Sequence, residues 1–296
     1  MTPSSVHQAG TDSQYELMTP SSVHQVGTVA KYELLKYLRG KRVLAIIVLT
    51  VLISAIFLIV PPAVGSGYSK DPSVFAANML QASFVSILSI LVVLSATLFG
   101  ADAIVSEFES KTGYFLFPNP TRKTTIFIGK FLASAFVSVC VITFYYAITV
   151  VSVRAIDGSI PANTDLSFAY ALVYLFAILA VAYLFSAVMR SSVWSLVLTF
   201  FTFFLILPII EAVGSTAKFK PWFSLTFAGG IATNILKNPY PTDVVPSVSS
   251  VTNTSAAVSI GVAQYYPSVN LSLAVMAVYF VAAFLLAFIL VQRREM

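Results

Sequence analysis

Six stretches of this chain run for at least 18 residues without a charged side chain: Val43–Val60, Val74–Ala101, Phe131–Val153, Leu166–Met189, Ser191–Ile210 and Leu271–Val291. About 20 mostly apolar residues in a helix cross the hydrocarbon layer of a bilayer. Within that layer every backbone polar group must be satisfied internally, so a spanning chain is a helix or a closed barrel. A barrel strand alternates apolar and polar residues over about ten positions, whereas "LVYLFAILAVAYLF" is apolar at successive positions. The expected fold is therefore all-α: a polytopic membrane protein with about six transmembrane helices. With 58% hydrophobic and 10% charged residues, the chain holds more apolar material than one soluble core of its size can hide.

Orientation follows from the cations flanking the spans. With both termini in the cytoplasm, 12 of the 17 Lys and Arg residues lie inside, and Lys70, Arg154, Lys218, Lys220 and Lys237 lie outside. The expected location is the cell's cytoplasmic membrane, as a multi-pass protein. The net charge of +5 then reflects topology and contact with the lipid bilayer, and no basic, aromatic-interleaved module for nucleic acid is evident. The first 30 residues lack both cations and an apolar run, so no cleavable leader is expected. The single cysteine, Cys140, excludes an intrachain disulfide and a multi-cysteine metal site.

Residues 1–17, "MTPSSVHQAGTDSQYEL", recur as residues 18–34, "MTPSSVHQVGTVAKYEL", with 13 of 17 positions identical. Both copies are rich in Ser, Thr, Pro and Gln up to Thr28, so residues 1–30 are expected to be a disordered, duplicated tail, and Met18 is a candidate alternative start. His7 and His24 sit in these copies with no other ligand types clustered around them, so no metal site is expected there. Residues 31–42 follow as an amphipathic helix in the plane of the cytoplasmic headgroups, with Leu34, Leu35 and Leu38 flanked by cations, and Gly40 provides a turn into the membrane. The alternative is a plain basic extension of the first span. Residues 43–296 form the transmembrane domain, with a cytoplasmic loop at 102–123 and an extracytoplasmic segment at 211–267. The outer segment contains "WFSLTFAGGIATNIL", apolar but broken at Gly229–Gly230, which predicts a short re-entrant or interfacial element. Asn253 and Asn270 are glycosylation sequons on the same side.

Between the second and third spans lies "SEFESKTGYFLFPNPTRKTTIFIGKF", an unusually charged and punctuated passage for such a chain. Ile104, Phe108 and Phe115 continue helical spacing out of the membrane, with Glu107, Glu109 and Lys111 on other faces. Gly113 can end that helix, and Pro118 and Pro120 forbid its continuation. Arg122, Lys123 and Lys130 form the basic flank of the third span. Two readings stand: a short rigid lever that carries a push from a cytoplasmic partner, or a solvated loop whose charges only set topology.

The passage resembles the cytoplasmic signature of the membrane subunits of type 2 ABC exporters. Its acids are Glu107 and Glu109, its Thr-Gly step is Thr112–Gly113, its apolar run is Tyr114–Phe117, and Pro120, Arg122 and Gly129–Lys130 complete it. Tyr114 stands where that family more often has a smaller residue. The layout of residues 31–296 is also similar. The resemblance implies a permease subunit that provides the transmembrane path. Glu107, Phe108, Glu109, Lys111, Gly113, Tyr114, Pro120 and Arg122 would then form a coupling helix docked on a separate ATP-binding cassette ATPase subunit. ATP and Mg would be cofactors of that partner and not of this chain, in which "GKF" at Gly129–Phe131 lacks the rest of a nucleotide loop. A second membrane subunit, the same chain or a paralogue, would complete the transporter.

The sequence offers no catalytic residue. No histidine follows position 24, which removes the His-Glu sets of intramembrane metalloproteases. Glu107 and Glu109 stand about 200° apart on a helix and do not converge. The alternative functions are an ion-coupled secondary transporter, for which Glu211 is the nearest candidate group, and a membrane scaffold without transport activity.

Overall fold

A computed structural model of the chain describes residues 22–64, 87–109, 123–157, 163–237, 239–244 and 263–293. Among them the regular elements are helices, apart from a single antiparallel bridge between Val244 and Gln264. In chain order these are α1 (Ser22–Arg39), α2 (Lys41–Val64), α3 (Ile87–Glu109), α4 (Lys123–Asp157), α5 (Thr164–Val188), α6 (Ser192–Thr216), the short α7 (Leu225–Gly229) and α8 (Ile231–Asn234), and α9 (Val269–Arg293). Helices α3, α4, α5, α6 and α9 are each long and apolar enough to cross a membrane. The remaining expected span, Val43–Val60, lies within α2, whose 24 residues rise about 36 Å along the axis.

The first helix begins at Ser22, nine residues before the expected start, so residues 22–30 are helical and not part of a tail. "SVHQVGTVA" is a weak helix former, and a short isolated helix is marginal in water. Its stability comes from packing along α4, where Val26 and Val29 lie over Gly129. Gly40 separates α1 from α2; its amide donates to the carbonyls of Lys36 and Tyr37, both at 3.0 Å, and closes the last turn of α1.

Helix α5 is the core of the molecule. It packs most extensively against α9 and also touches α4, α6, α7 and α8. Ala171, Ala177, Ala180, Ala182 and Ala187 are all buried along it, and such small residues let neighbouring helices approach closely where lipid provides no hydrophobic drive for association. Phe127 and Phe131 of α4, Tyr183 of α5 and Phe280, Phe284 and Phe288 of α9 form a continuous set of mostly edge-on ring contacts between these three helices. Helix α6 is different: it buries little beyond Ser195, Thr199, Phe203 and Gly214, and leaves Trp194, Phe201, Phe204 and Ile209 exposed. Its middle, Thr202–Ile206, is a π-helical turn. Pro208 explains it, because the proline ring has no N–H for the carbonyl of Phe204, and a wider turn accommodates the lost bond.

At the end opposite α1, α7 and α8 form a small cap on α5 and α9, broken at Gly229–Gly230 as the sequence predicts. Glu211 near the end of α6 accepts a hydrogen bond from Ser224 Oγ at 2.5 Å and another from Thr226 Oγ1, which ties α6 to the start of α7. Farther out, Asp243 accepts from Lys220 Nζ and the Tyr266 amide, both at 2.7 Å. Burial pushes this carboxyl up, but those two donors outweigh it and hold the pKa below the usual carboxylate range. Asn270 is exposed in the first turn of α9, and Asn253 lies outside the described residues.

The cap depends on a close approach at Gly229. A Cβ there would stand 2.5 Å from Cζ of Tyr174 and 2.6 Å from Cε2, and the ring is buried and cannot give way. Gly229→Ala is therefore expected to cost about 1–3 kcal/mol by overpacking, or more if α7 lifts off α5. The check is a lower thermal unfolding temperature in mild detergent, with Gly27→Ala as a control, since a Cβ at Gly27 meets nothing within 4 Å.

Candidate functional site

The charged passage singled out in the sequence begins inside the bundle. Helix α3 is interrupted by a turn at 101–104 and resumes as the single helical stretch Val105–Glu109. The uninterrupted helical spacing expected there is thus broken, and the reason is tertiary. The amides of Ile104 and Val105 donate to Ser186 Oγ of α5 at 2.9 and 3.0 Å, and Ser195 Oγ of α6 donates to the carbonyl of Ala101. Two serines from two other helices satisfy the backbone groups that the break leaves free.

Helix α4 presents three surfaces at this level. Gly129 faces α1, where an added Cβ would stand 2.8 Å from Val29 Cγ1 and 3.1 Å from the Val26 carbonyl oxygen. Phe127 and Phe131 face α5 and α9. Between them Lys130 is only 3% exposed, and its ammonium lies 2.8 Å from Glu33 Oε1 of α1 and 2.8 Å from Glu107 Oε1 of α3. Glu33 is also paired with Lys36 at 3.0 Å. A lysine buried in this way carries a large desolvation cost, which only close, hydrogen-bonded counter-charges offset. The pairing therefore locks three separate chain segments to one another.

A second ion pair lies beside it. Arg42, in the first turn of α2, bonds the buried carboxylate of Asp102 in the turn of α3. Tyr37 of α1 is buried against Phe99 with ring centroids 5.4 Å apart, and its hydroxyl donates to the Phe99 carbonyl at 3.1 Å. Burial pushes this phenol well above its ordinary pKa and keeps it a donor. Ser134 of α4 and Tyr183 of α5 exchange a hydrogen bond of 2.7 Å just beyond Lys130.

The expected site residues are distributed unevenly over this arrangement. Glu107 does not project outward but turns inward onto Lys130. Phe108 is half-buried and packs on the main core. Glu109 is exposed, and its carboxylate accepts from the Ser192 amide at 2.8 Å and from Ser191 Oγ at 3.4 Å, so it caps the N-terminus of α6. Lys111, Gly113, Tyr114, Pro120 and Arg122 lie outside the described residues. Sequence reasoning placed Lys130 in a basic flank, whereas it is the buried centre of the joint. The available signal was its position seven residues beyond Lys123, after the mostly apolar "TTIFIG", which is too deep in the helix for an ordinary flank. Glu33, Asp102 and Arg42 were missed as partners because nothing local in the sequence pairs them.

Mechanically, the stretch Val105–Glu109 is bonded to α1 and α4 through Lys130, to α5 through Ser186 and to α6 through Glu109. These bonds tie the last described turn before residue 110 to four other helices. Among the described residues no three His, Cys, Asp or Glu side chains are grouped as metal ligands. No curated protein gives a significant match to the chain. A family model described as "ABC-2 family transporter protein" matches residues 27–296, which takes in every helix from the second turn of α1 onward and leaves the first copy of the duplication outside.

Proposed function

This chain belongs to the ABC-2 family of transporter proteins, and from that premise we propose that it is the permease subunit of an ATP-driven exporter, worked by a separate ATP-binding subunit through segment 105–123. It is an integral membrane protein and a component of membrane transport. The observation that carries the coupling role is the joint at Lys130, where the base of this segment is fixed by paired charges to α1 and α4. A loop that served only to set topology would need none of these bonds.

In this reading the passage has two parts. Glu107, Phe108 and Glu109 anchor the lever from within, and Lys111, Gly113, Tyr114, Pro120 and Arg122 form its docking surface on the ATPase subunit. ATP and Mg belong to that partner. Two membrane subunits, two copies or a copy and a paralogue, flank the transport path, and closure of the paired ATPase subunits tilts the helices as rigid bodies between inward-open and outward-open states.

The division of roles is testable by co-purification in mild detergent. Tyr114→Ala and Arg122→Glu are expected to weaken retention of the ATP-binding subunit about tenfold, the scale of losing one good interface anchor, with the thermal unfolding temperature unchanged. Glu107→Gln is expected to lower the unfolding temperature instead. Full retention of the partner by both surface variants would overturn the docking assignment.

A further inference from the structure

We propose that the outer face of α1 is a binding surface for anionic lipid, and that lipid seated there steadies the ionic joint on the helix's opposite face. Helix α1 is divided cleanly. Val26, Val29, Ala30, Glu33, Leu34 and Tyr37 fall within one sector at 100° per residue, and all are buried or half-buried toward α4 and α2. The opposite sector carries Tyr32, Leu35 and Leu38, exposed at 69%, 38% and 59%, together with Lys31 and Arg39, while Lys36 stands at its border, paired with Glu33.

The chemistry of this face identifies its occupant. Three large apolar side chains interleaved with two cations, Lys31 and Arg39, match the acyl boundary and headgroup layer of a negatively charged leaflet. The only acidic residue of α1 is Glu33, and it lies on the other face, engaged with Lys130 and Lys36. Nothing on the outer face therefore repels an anionic headgroup. Placement agrees: α1 leads through Gly40 directly into the apolar helix α2, and the exposed apolar residues crowd the last two turns before that entry. Long Lys and Arg side chains can keep their charge at phosphate level while their stems cover Leu35 and Leu38. Because Glu33 projects from the same helix onto Lys130, and Lys130 holds Glu107, a steadier α1 holds Val105–Glu109 more firmly.

The test is amide hydrogen exchange on the full-length protein in nanodiscs of phosphatidylcholine alone and of phosphatidylcholine with about one third phosphatidylglycerol. The anionic discs are expected to slow exchange in residues 31–39 by about tenfold, and to slow it in residues 105–109 as well. Lys31→Glu with Arg39→Glu should abolish both effects, whereas Lys31→Arg with Arg39→Lys should preserve them. Glu107→Gln should leave the protection of α1 in place and remove the response at 105–109. Equal exchange in the two lipids, or protection that survives the charge reversal, would overturn the lipid surface. So would protection of α1 that arises only when the ATP-binding subunit is added, because the face would then be a protein interface. An unchanged response at 105–109 in Glu107→Gln would overturn the link through Lys130.

Discussion

Replacing Lys130 by methionine is expected to destabilise the protein by about 3–5 kcal/mol, the usual cost of removing one partner from a buried ion pair. The loss does not come from missing volume, since methionine fills much the same space. It comes from the carboxylates of Glu33 and Glu107, each 2.8 Å from the same nitrogen in the native protein and so within about 6 Å of each other, a range at which like charges strongly disfavour joint ionisation. With the ammonium gone, one of them must take up a proton or the site must open to water. The expected readout is a markedly lower unfolding temperature and rapid amide exchange throughout α1. The triple variant Lys130→Met, Glu33→Gln, Glu107→Gln should recover most of the stability, because exchanging a buried ion cluster for neutral groups is often nearly neutral. A single methionine variant as stable as the wild type would show that the cluster is not buried as described.

Gly129→Ala is expected to destabilise the protein at the same joint. The new Cβ would stand 2.8 Å from Val29 Cγ1 and 2.9 Å from Val29 Cβ, and 3.1 Å from the Val26 carbonyl oxygen. Valine is stiff at χ1 and the third neighbour is backbone, so no side-chain rotation relieves the contact. Helix α1 must move away from α4, and that movement stretches the bond between Glu33 and Lys130 one residue along. A cost of about 1–3 kcal/mol is expected from overpacking. Val29→Gly should suppress the effect in part by vacating the space, at the helix-propensity cost of about 1 kcal/mol that glycine brings. Additive losses in the double variant, measured by thermal unfolding, would argue against contact between these two positions.

Both predictions concern groups whose roles were only partly legible in the sequence. The spans were legible because lipid imposes a length and an absence of charge that no other environment demands; α4, α5, α6 and α9 follow the runs expected for them, while residues 74–86 of the second run lie outside the described residues. The gap at Gly229–Gly230 was legible for a similar reason, since two adjacent glycines interrupt an apolar segment whatever surrounds it. The start of α1 was not, because "SVHQVGTVA" owes its helical state to α4, about 100 residues away in the chain. The break in α3 at 101–104 was equally hidden: its hydrogen bonds come from Ser186 and Ser195, more than 80 residues on. Charges near a span end carry two meanings, topology and pairing, and only the fold separates them. Glu107 and Glu109 stand two residues apart in sequence, yet one pairs with a buried lysine and the other caps a helix.

The same distinction bears on Glu211, which the sequence offered as the nearest candidate for ion coupling. Its Oε1 accepts from both Ser224 and Thr226, so its observed role is to fasten α6 to the cap formed by α7 and α8. Helix α6 is otherwise the least enclosed of the spans, held at one end by Glu109 and near the other by Glu211. A helix pinned by polar contacts at both ends and loosely packed between them can tilt as a unit, which is the motion the proposed mechanism asks of it.

The central claim is that segment 105–123 transmits the work of an ATP-binding subunit through the joint at Lys130. The most direct measurement is ATP turnover by the assembled transporter in nanodiscs, compared between the wild type and the triple variant Lys130→Met, Glu33→Gln, Glu107→Gln. That variant is expected to retain the fold, since neutral replacement of a buried ion cluster is often nearly neutral, and it leaves residues 110–122 unaltered while removing the charged joint. The expected result is a complex that still assembles but whose turnover is about tenfold lower, within the range of typical coupling energies between sites. Wild-type turnover in a stably assembled triple variant would contradict the account.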